Sequence, residues 1–178
     1  MSGPAQAKKT AVFEVIGPVE IPFQKRTQGA KWIGRDDASA FWDQPLGARV
    51  EDRIGCYVFA IAGGSGTPWY VGKTTRSFRK ECFQDHKLLR YNEALSLSPK
   101  GKPVLFFLAY RARPGKPPRT AFKELEDFLI DAARAQNSEL TNYGRDEGQP
   151  AWEIAGVIST SPGKPSKAAR SFRRMIGL

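Results

Sequence analysis

The pattern of apolar and polar positions is anchored by two uninterrupted apolar runs, Ile54–Ile61 and Val104–Tyr110, and by a shorter one, Pro68–Val71. Short apolar runs bounded by glycine and proline predict strands buried on both faces. Gly63, Gly64, Ser65 and Gly66 separate the first run from Pro68–Val71, so the stretch 55–72 (GCYVFAIAGGSGTPWYVG) is predicted to be a hairpin with a tyrosine on each strand. Ala11–Phe23 alternates, with Gly17-Pro18 in its middle, and predicts two short strands or one broken edge strand. Trp152–Ser159 predicts a further strand.

Helical spacing predicts helices over about 36–43, with Asp36 as cap, over 77–92, over 121–135 with Thr120 as cap, and over 166–176. In the second of these, Phe78, Cys82 and Leu89 form an apolar stripe bordered by Arg79, His86 and Arg90, a row suited to phosphate because Arg offers a forked donor and His titrates near neutrality. In the third, Phe122, Leu125, Leu129, Ile130 and Ala133 share one arc, and Glu126 falls inside it. A carboxylate on an apolar arc requires a cation, a metal ion or a cleft, since an unpaired buried charge is strongly unfavourable. A structural pairing with a core Arg or Lys and a functional site are the two readings. The element order gives an α/β (α+β) fold, a mainly antiparallel sheet with helices packed on it.

With 178 residues and 40% hydrophobic side chains, the chain is long enough for one domain with its own core. Its formal charge of +10 is uneven, since residues 55–142 carry 14 basic and 8 acidic side chains whereas residues 1–54 carry 8 and 7. Such a surplus suggests a polyanionic partner, most simply nucleic acid, with solubility as the plainer explanation. The two cysteines and single histidine exclude an ordinary zinc finger. Residues 1–10 are polar and no run approaches the length of a membrane span, so a soluble, cytoplasmic protein without a membrane partner is expected.

These residues together resemble the GIY-YIG nuclease family. The paired strand motifs correspond to Gly55-Cys56-Tyr57 and Tyr70-Val71-Gly72, followed by Lys73-Thr74. The next helix brings His86, the family's glutamate with its apolar followers corresponds to Glu126–Ile130, and the terminal Leu-x-Asn to Leu140-Thr141-Asn142. The resemblance covers residues 55–142 as a nuclease core with a small three-stranded central sheet, leaving 1–54 as an extension packed on it and 143–178 as a strand and basic helix of the same domain. It implies a metal-dependent endonuclease acting on DNA, with RNA left open. Tyr57 would be the general base, with Tyr70 beside it and Lys73 or His86 assisting; Glu126 would hold one Mg²⁺ (or Mn²⁺), and Asn142 would shape the site. A tyrosine serves as a base near neutrality only where cations depress its pKa, which a basic cleft supplies.

The family's catalytic arginine falls at Lys80 or Glu81, neither an arginine. Arg79 is expected to substitute, with Arg76 and Arg90 as alternatives. Lys73, Arg76, Lys80 and Arg90, with Arg170, Arg173 and Arg174 of the last helix, are the candidate nucleic-acid contacts, and the N-terminal extension a candidate docking surface for a protein partner. Two other functions fit the same residues: a related module that binds nucleic acid and cuts weakly, and a structural or protein-interaction domain in which the tyrosine hairpin is core.

Overall fold

The run beginning at Gly55 is apolar at every position because it is covered on both faces. In the computed structural model, which describes residues 10–140 except 65 and 115, 152–158 and 164–178, it is strand β4, Gly55–Ala62. Cys56, Val58 and Ala60 enter one core, and Tyr57, Phe59 and Ile61 the other. Around it the chain runs β1 (Ala11–Glu20), β2 (Gln24–Lys25), β3 (Lys31–Trp32), α1 (Arg35–Trp42) and α2 (Pro45–Val50). After β4 come β5 (Thr67–Thr74), α3 (Phe78–Glu81), α4 (Asp85–Leu97), β6 (Lys102–Tyr110), α5 (Arg119–Gln136), β7 (Trp152–Ile154) and α6 (Lys167–Ile176).

The expected antiparallel trio exists as β5-β4-β6, but it is part of a five-stranded mixed sheet ordered β5-β4-β6-β1-β7. β1 pairs antiparallel with β6 and parallel with β7. The first segment is therefore an inner strand of the main sheet and not an edge strand; its register slips between Ile16 and Val19, at Gly17-Pro18. Pairing of β1 with β6, some ninety positions apart in the chain, leaves no local trace in the sequence.

The first core lies under α5 and α6, where Phe122, Leu125, Leu129, Phe172 and Met175 meet Cys56, Val58, Val71 and Phe106. The second lies under α1, α3 and α4, where Phe41, Trp42, Phe78, Leu88, Tyr91 and Leu95 meet Tyr57, Phe59, Leu105 and Phe107. The result is a three-layer arrangement in which the tyrosines and Glu126 approach the edge strand β5 from opposite faces.

The predicted helix over 77–92 is two helices. Ser77 caps α3, its hydroxyl accepting from the Lys80 amide at 3.3 Å, and the chain then turns extended at Gln84 before α4 begins. That extended residue resets the helical phase. Leu89, expected in the buried stripe, is 65% exposed, and Leu88, Tyr91 and Leu95 pack instead. The first helix is capped at Gly34 rather than Asp36, with the Asp37 carboxylate accepting from the Gly34 amide at 2.8 Å. Thr120 lies within α5, which starts at Arg119 without a side-chain cap, and the strand from Trp152 ends at Ile154. Ser166 does cap α6, accepting from the Ala169 amide at 3.0 Å.

Candidate active site

Both motif glycines are required by space. Gly55 has φ of 153°, and a Cβ there would lie 2.0 Å from the Leu108 carbonyl oxygen of β6. Gly72, the register partner of Tyr57, leaves room for the phenol of that tyrosine. Tyr57 and Tyr70 thus stand side by side on one face of the hairpin, ring centroids 6.3 Å apart and planes at 34°. Phe78 meets Tyr57 edge-on, and Tyr91 meets Tyr70 in the same manner.

The two tyrosines differ in access. Tyr57 is fully buried and its hydroxyl makes no hydrogen bond of ordinary geometry. Burial pushes its phenol well above the usual range, and Tyr91, Cys82, Tyr70 and Glu81 add to this. The expectation that cations depress this pKa is not met: the phenol is raised, with burial as the largest cause. Tyr70, only half-buried at the sheet edge, is raised by burial first and then by the Glu126 and Glu81 carboxylates. Of the pair, Tyr70 is the one whose hydroxyl can meet a ligand.

Glu126 resolves its conflict with the apolar arc through a cation. Its carboxylate pairs with the Lys73 ammonium, which projects from β5 toward α5, and its side chain remains 16% exposed. Lys73 lies across from Cys56, on the face opposite the tyrosines. The neighbouring thiol of Cys56 is wholly buried and pushed up by that burial and by Glu126; it donates to the Phe122 carbonyl at 3.6 Å. Among the described residues no group of three or more His, Cys, Asp or Glu side chains is placed to hold a metal ion. One carboxylate still fits Mg²⁺, which keeps several waters and is commonly held by one or two carboxylates together with phosphate oxygens of a substrate.

The expected row Arg79–His86–Arg90 is dispersed by the break at Gln84. Arg79 pairs with Glu51, and Arg90 with Glu93 at 3.2 Å on the exposed side of α4. His86 is exposed and borders a shallow cleft with Arg35, Phe83 and Leu88, away from the tyrosines. Arg76 reaches the Glu81 carboxylate at 3.2 Å, and Lys80 is exposed. On α6, Arg170, Arg173 and Arg174 are exposed, Arg170 donating to the Pro165 carbonyl at 2.6 Å. Asn142 lies outside the described residues.

The group that sequence reasoning missed is the inner face of α3 and α4. Glu81 accepts from Arg76 and Lys87, the Tyr91 hydroxyl donates to the Cys82 carbonyl at 2.9 Å, and Asn92 clasps both backbone groups of Ile33, at 2.8 and 3.0 Å. A signal for it exists: Leu88, Tyr91 and Leu95 form a helical arc of their own that competes with Phe78, Cys82 and Leu89. A second cleft, across β1 between α2 and α6, is lined by Glu14, Arg49, Arg111, Lys164 and Lys167 and contains none of the expected site residues.

No helix among the described residues is long and apolar enough to cross a membrane. No family model, curated protein or solved structure matches the chain, so the likeness to GIY-YIG nucleases rests on the residues themselves.

Proposed function

We propose that the protein is an endonuclease of GIY-YIG type that hydrolyses DNA phosphodiester bonds with a divalent metal, using Tyr70, Lys73 and Glu126 at the edge of β5 with Tyr57 behind them. The observation that carries this reading is the adjacency of the two motif tyrosines, 6.3 Å apart, with the Lys73–Glu126 pair on the other face of the same edge strand, where the Glu126 carboxylate still raises the Tyr70 phenol. The hydroxyl of Tyr70 would orient water at the open edge, and Tyr57 would back it from the closed side. Glu126 would hold Mg²⁺ or Mn²⁺, which supplies Lewis-acid stabilisation of phosphate charge. Lys73 would then turn from Glu126 to a phosphate oxygen, an exchange of one anionic partner for another. Arg76 and Lys80, flanking the start of α3, are candidate backbone contacts.

A second reading, a module that binds nucleic acid without cutting it, is favoured by one particular: Arg79 is engaged by Glu51, and position 81 holds a carboxylate. Loss of a cationic donor at a phosphoryl site costs about 10² to 10³ in rate.

Supercoiled plasmid incubated with the full chain and Mg²⁺ or Mn²⁺ tests both. The nuclease reading expects nicking that is lost in EDTA, in Glu126→Ala and in Tyr70→Phe. Salt-sensitive binding without cleavage in either metal selects the second reading. Neither binding nor cleavage, on DNA or RNA, leaves a structural or protein-interaction role.

A further inference from the structure

Among the described residues Lys87 is the one charged side chain that the fold buries, at 3% exposure. It sits in the first turn of α4, directly after the break at Gln84. Its ammonium donates to the Glu81 carboxylate and, at 3.0 Å, to the Glu81 carbonyl, and lies 5.4 Å from the centroid of the Tyr57 ring. Glu81 is itself largely covered and takes Arg76 on its second oxygen at 3.2 Å. Burying an ammonium is strongly unfavourable and pairing only offsets it, so an apolar residue of similar volume is often neutral or stabilising in such a place. Packing alone does not require a charge there, and the ammonium faces the ring of the buried Tyr57.

We infer that Lys87 is a positioning residue of the tyrosine site: clamped by Glu81, its ammonium holds positive charge under Tyr57 and favours the anionic form of that phenol. The inference rests on the reading of Tyr57 and Tyr70 as site residues. It assigns the cationic role to a residue of α4 in place of Arg79, which Glu51 holds elsewhere. The groups facing Tyr57 are Lys87, Tyr91, Cys82 and Glu81 from α3, α4 and their junction and Tyr70 from β5; Arg76 acts through Glu81, and the Lys73–Glu126 pair lies on the other face of the sheet. Of these, only the Lys87 ammonium opposes burial and the Glu81 carboxylate, both of which disfavour a phenolate.

The test places a fluorotyrosine at position 57 of the full chain and follows its ionisation by fluorine NMR. Lys87→Met moves the midpoint up by about one pH unit or more, as expected for removing a charge at this range. Lys87→Arg leaves it near the wild-type value, and Glu81→Gln moves it down. In the Glu81→Gln/Lys87→Met double variant no carboxylate is left bare, so this chain carries the comparison if Lys87→Met alone does not fold. Its midpoint lies above that of Glu81→Gln. Coincident midpoints in Glu81→Gln and the double variant would mean that Lys87 serves only as counterion to Glu81, and the inference falls. It falls equally if the wild-type phenol stays protonated up to the pH at which the fold is lost. None of these readouts requires cleavage, so an inactive protein refutes the nuclease reading while leaving this measurement decisive.

Discussion

A Cβ added to Gly72 would come within 2.4 Å of both Cζ and the hydroxyl oxygen of Tyr57. The glycine of the second strand motif is therefore the floor on which the tyrosine of the first rests, and the two motifs are one steric unit. Gly72→Ala should cost about 1 to 3 kcal/mol, the range for overpacking a well-filled core. Urea unfolding measures it directly. A loss below about 0.5 kcal/mol, the scatter of neutral surface changes, would show that the phenol can move aside freely.

The orphaned hydroxyl of Tyr57 and the bonded hydroxyl of Tyr91 make opposite forecasts for the same substitution. Tyr57→Phe removes a buried polar atom that has no partner, so stability should hold or rise by about 1 kcal/mol. Tyr91→Phe removes the donor to the Cys82 carbonyl and should cost about 1 kcal/mol or more. If Tyr57→Phe is the more stable chain yet cuts plasmid more slowly, the hydroxyl is kept for function and not for folding.

The hairpin and the Glu126 helix were legible in the sequence because each signal is local. Ile54–Ile61 and Pro68–Val71 lie within one turn of each other, and Phe122, Leu125, Leu129, Ile130 and Ala133 set an arc that the structure buries as read. The inner position of β1 depends on pairing with residues some ninety positions away, which no window of the sequence contains. The stretch 77–92 failed for a different reason: a single extended residue, Gln84, rotates everything after it, exchanging Leu89 for Leu88 and hiding Lys87. Hydrophobic periodicity assumes one continuous helix and is blind to such a step. Lys87 carries no local signal of its burial, because lysine is almost never fully buried unless paired, and its partner Glu81 lies in another helix.

On the β1 side of the sheet, Arg53 joins Glu14 of β1 to the Tyr110 carbonyl, the latter at 3.1 Å, with Arg111 at 3.7 Å from the same carboxylate. Burial pushes the Glu14 carboxyl up, but the hydrogen bond and charge of Arg53, with Arg111 and Arg49, outweigh it and leave the pKa below 4.5. A carboxyl depressed in the folded state stabilises above its unfolded pKa, and the contribution fades as pH falls through the folded value. Glu14→Gln should therefore lower stability by about 1 to 2 kcal/mol at neutral pH. The gap to wild type should close in acid, beginning near the unfolded value of 4.5. Urea midpoints across this range check the sign; a gap that widens in acid contradicts the assignment.

The basic surface offers a test of where nucleic acid lies. Arg173 and Arg174 are exposed in the last turn of α6, whose buried residues Ala169, Phe172, Met175 and Ile176 fix the helix to the core, so their replacement by alanine leaves packing untouched. Arg90 is also exposed but sits on α4, beneath the opposite face of the sheet and paired with Glu93. If DNA bound at the β5 edge also runs along α6, Arg173→Ala/Arg174→Ala should weaken binding equally for all sequences. The slope of log K against log salt should shrink by about 2, since each phosphate contact contributes about 0.9. Arg90→Ala should leave that slope unchanged. Fluorescence anisotropy with a short duplex at several salt concentrations reads all three chains. A full slope in the double variant with a reduced one in Arg90→Ala would move the track to the α3–α4 side. There the phosphates would pass Lys80 and Arg76 on their way to Tyr70, and α6 would be a solvated basic end with no part in binding.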